Sequence, residues 1–373
     1  MANRYWVGGT DNWNGTAGSK WALTSGGAGG QAEPTAADDV FFDGNSGAVT
    51  VTVATTTGLA LNLNTTGFTG TLAGSTGITV TGNLTLGSGM TWTNTGTLTL
   101  NATATTQVLT TNGVALTCSI TRSGAGGACQ LSGNLTTGVT RAFTLTNGDL
   151  DLNGAVLSVG FCVGSASNTI SITPNGGSIT LTGNAGNIWN FPTNASFSLT
   201  AELTVTCNYS GAVGTRTLIS GNFSEANSVN FSITAGTDAV TTSSNGVVRN
   251  LNFTGFAGTL NTGVIVLYGS LTLGSGMTVV ASANDVTFGA TSGTKVITTN
   301  GVAFPRDLVF NGVGGTFQLA DTLTQGASRT LAVTNGTLDL NGFKITGGLM
   351  TVDDTAAAGG GMRLAGAGGL ASG

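Results

Sequence analysis

The stretch from Leu63 to Ser158 comes back, with one residue lost and one regained, from Leu251 to Thr346. L-N-T-T-G-F-T-G-T-L at Leu63 returns as L-N-F-T-G-F-A-G-T-L at Leu251, and L-T-L-G-S-G-M at Leu84 returns at Leu271. T-N-G-V-A at Thr111 returns at Thr299, and T-N-G-D-L-D-L-N-G at Thr146 returns as T-N-G-T-L-D-L-N-G at Thr334. A fold that accommodates the same long stretch twice, and absorbs a one-residue slip inside it, is built from repeated units whose insertions fall in peripheral turns.

The unit is visible in short period-two runs: V-T-V-T-V-A at Val49, I-T-V-T-G at Ile78, L-T-L-N at Leu98, L-D-L-N-G at Leu150 and again at Leu338, and I-T-L-T-G at Ile179. Alternating Leu, Ile or Val with Thr puts an apolar face inward and a hydroxyl face outward, the signal of a half-buried strand. Most of the runs end in or near Gly or Asn-Gly, residues that accept the positive φ of a tight turn. Between Gly47 and Gly348 no helical period appears. Strands spaced about 8 to 12 residues apart fit a β-solenoid or a β-sandwich array. The tolerated slip favours the solenoid. So do the ninety or so residues of unchanged texture between the copies, and the scarcity of charge in coils stacked about 4.8 Å apart. The sequence therefore predicts an all-β fold, a right-handed parallel β-helix of about a dozen coils of roughly 20 to 25 residues, with tandem β-sandwich domains as the alternative.

Residues 53–350 form the solenoid body, with the duplicated stretches at 63–158 and 251–346. Residues 1–52 stand apart, with Tyr5, Trp6, Trp13, Trp21, Phe41 and Phe42 and seven charged residues, Arg4, Asp11, Lys20, Glu33, Asp38, Asp39 and Asp43. This enrichment reads as an aromatic-rich cap or attachment module closing one end of a repetitive body. The tail, 351–373, is nearly all Gly and Ala; it has little to bury and is expected to be mobile or ordered only against a partner.

Charged residues are only 7% of the chain and the net charge is −5, so there is no basic stripe to hold nucleic-acid phosphates. No apolar run approaches the roughly 18 to 20 residues of a membrane-spanning helix, and the N-terminal residues lack a signal-peptide core. Expression in a cytoplasm, without a signal peptide, is the expectation. Cys118, Cys129, Cys162 and Cys207 are scattered; Cys129 aligns with Phe317 and Cys118 with Arg306, so they read as small buried hydrophobes rather than a metal set.

Histidine is absent, which removes the commonest general base and the commonest transition-metal ligand. Acid–base chemistry would fall to Asp149, Asp151, Glu202, Glu225, Asp238, Asp285, Asp307, Asp321, Asp339, Asp353 and Asp354. Asp149 and Asp151, two apart on one strand, share a face and are the best candidates for a polysaccharide-cleaving pair or a cation, but the second copy keeps only Asp339, with Thr337 opposite Asp149. Asp38, Asp39 and Asp43 are weak candidates for calcium, as clustered hard oxygens without an established loop spacing. The Gly-rich stretches at Gly26 and Gly124 lack the Lys-Ser/Thr of a nucleotide loop and read as turns. Arg141 and Arg329, and Gln130 and Gln318, occupy equivalent places in the copies and read as structural turn partners. The sequon at Asn14 carries no meaning without secretion. No cofactor is called for.

R-Y-W-V-G-G-T-D-N-W-N from Arg4, T-S-G-G-A-G-G from Thr24 and P-T-A-A-D-D-V-F-F-D from Pro34 together resemble a module at the front of β-helical proteins of tailed bacteriophages and of some bacterial surface proteins. The likeness covers about fifty residues in motif and the rest in texture. It implies a virion component, a tail fibre, spike or capsid decoration, commonly a homotrimer bound to other virion proteins at one end, with a projecting body that can meet host-surface glycans. It brings no catalytic motif. A polysaccharide depolymerase or lyase, or a bacterial surface adhesin, is the alternative.

Overall fold

The structure, a computed structural model, describes residues 2–13, 20–212, 214–243, 245–352, 360–363 and 370–371. The chain is all-β with almost no helix, and its strands stack in parallel into a β-solenoid of about 14 turns. Parallel pairing from coil to coil rules out the tandem β-sandwiches, whose sheets are antiparallel. The coil count exceeds the expected dozen because the first fifty residues are wound into the stack as well. Asn3–Trp6 pairs in parallel with Asp39–Phe41, and Asp11–Asn12 with Thr50–Val53. Among the described residues no helix is long and apolar enough to cross a membrane.

The chain divides into two compact units, Met1–Thr180 with Ser196–Ala201 and Leu181–Ala195 with Glu202–Gly373. The first copy of the duplication lies in the first unit and the second copy in the second.

In the first unit, successive coils place like residues above one another. Val40, Leu63, Leu84, Leu109 and Leu131 form one buried column in register, and Ile78, Leu98, Ile120, Phe143 and Cys162 form another. Each such aliphatic side chain contributes about 1.5–3 kcal/mol on leaving water, and the alternation that buries it turns the intervening Thr outward. One end of this core is closed by rings. Trp6, Trp13, Trp21 and Phe42 are buried and in mutual contact, with Trp6 and Trp21 edge to face at 5.1 Å and Trp13 and Phe42 at 5.3 Å. Trp21–Ala22 runs antiparallel to Asn3–Trp6, unlike its coil-to-coil neighbours.

In the second unit the same logic holds, with longer strands. Arg306–Leu319 pairs with Ser282–Phe288 and Thr294–Thr298, and on its other side with Thr330–Asp339. Phe288 and Phe310 stack at 4.8 Å with planes 9° apart, and Phe317 completes the cluster. The tail, expected to bury little, continues the stack where it is described: Gly360–Arg363 pairs with Gly336–Asp339, and Leu370–Ala371 with Ile345–Thr346. A parallel rung is made by backbone groups, so Gly and Ala supply it without side chains to bury.

The Asn-Gly turns hold more than a corner. Asn112, Asn153, Asn300 and Asn341 all sit at φ of 46–50°, each followed by a left-handed glycine. From that position each side-chain amide donates to a carbonyl one coil back, Leu86 at 2.8 Å, Leu131 at 3.1 Å, Leu273 at 2.7 Å and Leu319 at 3.2 Å. The turn residue is thus also a rivet between coils, and it recurs at matching places in both copies.

Candidate functional site

Most of the acids that the sequence offers for chemistry are committed to holding the coils together. Asp151 accepts from Gln130 Nε2 at 2.8 Å, and Asp339, its counterpart, accepts from Gln318 Nε2 at 3.1 Å. The matched Gln130 and Gln318 are therefore partners of matched acids one coil on. Arg141 and Arg329 each donate their backbone N–H to a glycine three residues earlier, Gly138 and Gly326, at 2.9 Å. Asp321 accepts from the backbone and hydroxyl of Thr299, both at 2.9 Å. Glu202 pairs with Arg249 at 2.8 Å, Glu225 accepts from the Thr291 hydroxyl at 2.7 Å, and Asp307 accepts from the Thr330 amide at 2.8 Å. Asp285 is exposed; Asp353, Asp354 and the sequon at Asn14 lie outside the described residues.

Asp238 is the extreme case. It is fully buried with Arg216, Oδ1 on Nη2 and Oδ2 on Nε, both at 2.7 Å, and the guanidinium also lies 5.7 Å from the Tyr209 ring and 5.6 Å from that of Phe256. A bidentate pair in a dry core is a structural element, not a reaction centre.

The calcium candidates do not converge. Asp38 accepts from Ala2 N, Thr35 N and Thr35 Oγ1; Asp39 accepts from Asn62 Nδ2; Asp43 caps the short 3-10 helix Gly44–Ser46 through Asn45 N. Burial alone would raise the Asp38 carboxyl, but the Thr35 amide and hydroxyl and the Ala2 amide outweigh it and hold it below the ordinary value. Asp38 thus adds stability at neutral pH that is lost as pH falls through its depressed folded-state pKa. Among the described residues no three His, Cys, Asp or Glu side chains are placed to hold a metal ion.

Of the six aromatics of the N-terminal module, Trp6, Trp13, Trp21 and Phe42 are buried against one another and have no face for a partner. Tyr5 and Phe41 are half-buried and stacked at 4.6 Å with planes 12° apart, on neighbouring coils. They form the part of the cluster that reaches the surface. All four cysteines are buried free thiols; burial pushes Cys118 up to about 11 and Cys129, Cys162 and Cys207 up to about 12.

One acid is placed differently. Asp149 lines a groove of about 710 Å³ in the first unit, together with Asn147, Ser167, Asn168, Thr169 and Ser171 and the backbone of Ala125–Ala128. Its Oδ1 accepts from Ser171 Oγ at 2.8 Å and Thr173 Oγ1 at 3.2 Å. Burial raises its pKa against those two bonds, aided by the charge of Asp151 and opposed by that of Arg122. Asp149 therefore favours folding more as pH falls through its raised folded-state pKa, the opposite sign to Asp38.

Arg122 is the residue that the sequence did not flag. It occupies an inward position, in register with Leu100 and Leu145, and is fully buried. Nη1 reaches Leu100 O at 3.4 Å, while Nε and Nη2 have no hydrogen-bond partner. Burial pulls its pKa down, opposed by Cys129 and Asp149. The groove floor separates it from solvent: a Cβ on Gly148, at φ +77°, would lie 2.6 Å from the Gly124 and Gly127 carbonyls and 2.8 Å from Arg122 Nη2. A signal was present in the sequence, because the duplication aligns Arg122 with Phe310, and an arginine that trades with phenylalanine marks an inward position.

Asp149 and Asp151 share their strand face as expected, but the structure divides their roles. Asp151 is bound to Gln130, Asn153 and Asn175, and Asp149 faces the groove. The arrangement can accept and donate hydrogen bonds to a polar ligand, and it offers one carboxyl of raised pKa without a second free carboxylate beside it. No protein-family model, no curated protein and no solved structure matches this chain.

Proposed function

We propose that this chain is a non-enzymatic structural component of a bacteriophage virion, a tail fibre, spike or capsid decoration, that presents a rigid β-solenoid and assembles as a homotrimer with other virion proteins. The observation that carries the reading is the use made of the acids. Gln130 with Asp151 and Gln318 with Asp339 repeat one inter-coil bond in both copies, so the duplicated feature is scaffold. The β-solenoid fits a structural role of this kind, because backbone hydrogen bonds running from coil to coil leave few frayed ends. The N-terminal motifs, similar to those at the front of phage β-helical proteins, support the assignment to a particle, and the half-buried Tyr5 and Phe41 are the aromatic surface with which such an end would be fixed.

Electron microscopy of the intact particle with an antibody against this chain tests the assignment: labelling at one defined position is expected, and its absence from purified particles overturns it. Light scattering tests the trimer, which fails if the native mass stays near the 36.7 kDa of one chain. A capsular-polysaccharide depolymerase is a second reading, favoured by the upward direction in which burial moves the Asp149 carboxyl, the direction a general-acid carboxyl needs. Release of oligosaccharides from host polysaccharide by the purified chain would decide for it.

A further inference from the structure

We propose that the groove over Gly126, Asn147 and Asp149 is a binding site for a segment of uncharged saccharide. Its volume of about 710 Å³ lies within the range of small-molecule sites, about 300–1,000 Å³. Apart from the methyls of Ala125 and Ala128, the side chains that line it end in hydroxyls, carboxamides and one carboxylate, with no aromatic ring and no exposed cation. A ligand that satisfies such a wall both donates and accepts hydrogen bonds along its length, which is the chemistry of a polyol.

Charge selects against an acidic ligand. An incoming anion meets Asp149 directly, whereas the nearest cation, Arg122, is sealed beneath the backbone of Gly127 and Gly148. Burial pushes the Asp149 carboxyl up, the Ser171 and Thr173 hydroxyls oppose that push, and the field of Arg122 opposes it further. Ser171 and Thr173 fix Asp149 by Oδ1, which leaves its second oxygen to accept a ligand hydroxyl.

The duplication supplies an internal comparison. Gly124, Gly126, Gly127 and Gly148 return as Gly312, Gly314, Gly315 and Gly336, with φ at the last position +77° in both copies. The glycine floor is therefore part of the scaffold. Among the differences, the lining residues Ala125, Ala128 and Asp149 are replaced by Val313, Thr316 and Thr337, and Arg122 beneath them by Phe310. The buried cation and the groove carboxylate are present together in one copy and absent together from the other. Of the two, only Asp149 is open to a ligand.

The test uses the full chain and a panel of tetrasaccharides at about 10 mM, a concentration suited to millimolar binding: maltotetraose, cellotetraose and N-acetylchitotetraose as neutral probes, tetragalacturonate as the acidic one. Saturation-transfer NMR is expected to detect at least one neutral probe and not the acidic one. Ala125→Trp, on an exposed turn, fills the groove, and Asp149→Thr installs the residue of the other copy. Each is expected to weaken binding about tenfold or more, Asp149→Thr through the loss of a charged hydrogen bond and Ala125→Trp by occlusion, with far-UV circular dichroism unchanged. Val313→Trp, at the matching turn of the second copy, leaves binding intact. No binding of any neutral probe, equal binding by the groove variants, or preferential binding of tetragalacturonate overturns the proposal. The inference rests on the virion reading only for the origin of the saccharide. Binding is measured on the isolated chain and placement on the particle, so either can fail alone.

Discussion

Removing the carboxylate of Asp238 strands the Arg216 guanidinium in a core from which both side chains are fully withdrawn. Asp238→Ala is expected to lose about 3–5 kcal/mol in urea unfolding followed by tryptophan fluorescence. Replacing both, as Arg216→Met with Asp238→Leu, is expected to recover most of that loss, because an apolar pair of similar volume removes the desolvation cost with the charges. A single-variant loss below about 1 kcal/mol would mean that water reaches the pair. The thiols give a second test at this scale. With burial holding Cys118 at about 11 and the other three at about 12, almost no thiolate exists at pH 8. The native chain is expected to be inert to Ellman's reagent and the denatured chain to react at all four positions; prompt reaction of a native thiol would contradict its burial. Neither the Arg216 pairing nor the inward course of Arg122 was legible from local pattern. By period alone Arg122, two residues after Ile120, and Arg216, two before Leu218, fall on the inward face, but their charge argues the other way, and the partner of Arg216 lies a coil away, at a distance set by turns of unequal length.

The element that organises the coils is the Asn-Gly turn, and here the sequence was informative. Asn153 and Asn341 were readable as left-handed corners from their dipeptides alone. Their second role was not readable, because the acceptors, Leu131 O and Leu319 O, belong to other strands. The two roles can be separated by substitution. Asn153→Gly keeps the φ of +48° at little cost and loses only the amide bond, about 1 kcal/mol. Asn153→Ala loses the bond and strains the backbone, for a total of about 2–3 kcal/mol. Asn341 is expected to give the same order. Equal losses for Gly and Ala in chemical denaturation would show that the backbone at this corner is free to relax. The same limit explains the groove. Gly124, Gly126 and Gly127 were rightly read as turn residues, yet the concavity they form needs Asp149 and Ser171 from later coils, which no local spacing announces.

At the scale of the molecule, stability is a sum over coils and their nearest neighbours. Excising one full coil, Ser132–Leu152, places Asn153 directly after Leu131, where Ser132 stood, and restores the register, since Gln130 and Asp151 are stacked partners. That deletion is expected to give a soluble chain with a similar β-sheet spectrum and a cooperative melt. Deleting Ser132–Arg141, less than a coil, removes the Leu135–Thr136 rung that pairs with Val156–Val159 and leaves a coil too short to close on its neighbours, and is expected to aggregate. If both deletions behave alike in circular dichroism and size-exclusion chromatography, coil modularity is the wrong description. The solenoid itself was legible because one duplication, one alternation and one kind of turn all pointed to it; the rungs at Gly360–Arg363 and Leu370–Ala371 were not, because backbone pairing leaves little mark on side-chain composition. The short antiparallel strand Trp21–Ala22 has a further consequence. A stack of parallel coils is a template onto which any chain of like texture can add, rung after rung, into a fibre. By lying against Asn3–Trp6 in the opposite sense, and bridging Gln31 on its far side, this strand presents an incoming coil with a mismatched hydrogen-bond pattern. The chain carries its own terminator against runaway polymerisation at that edge.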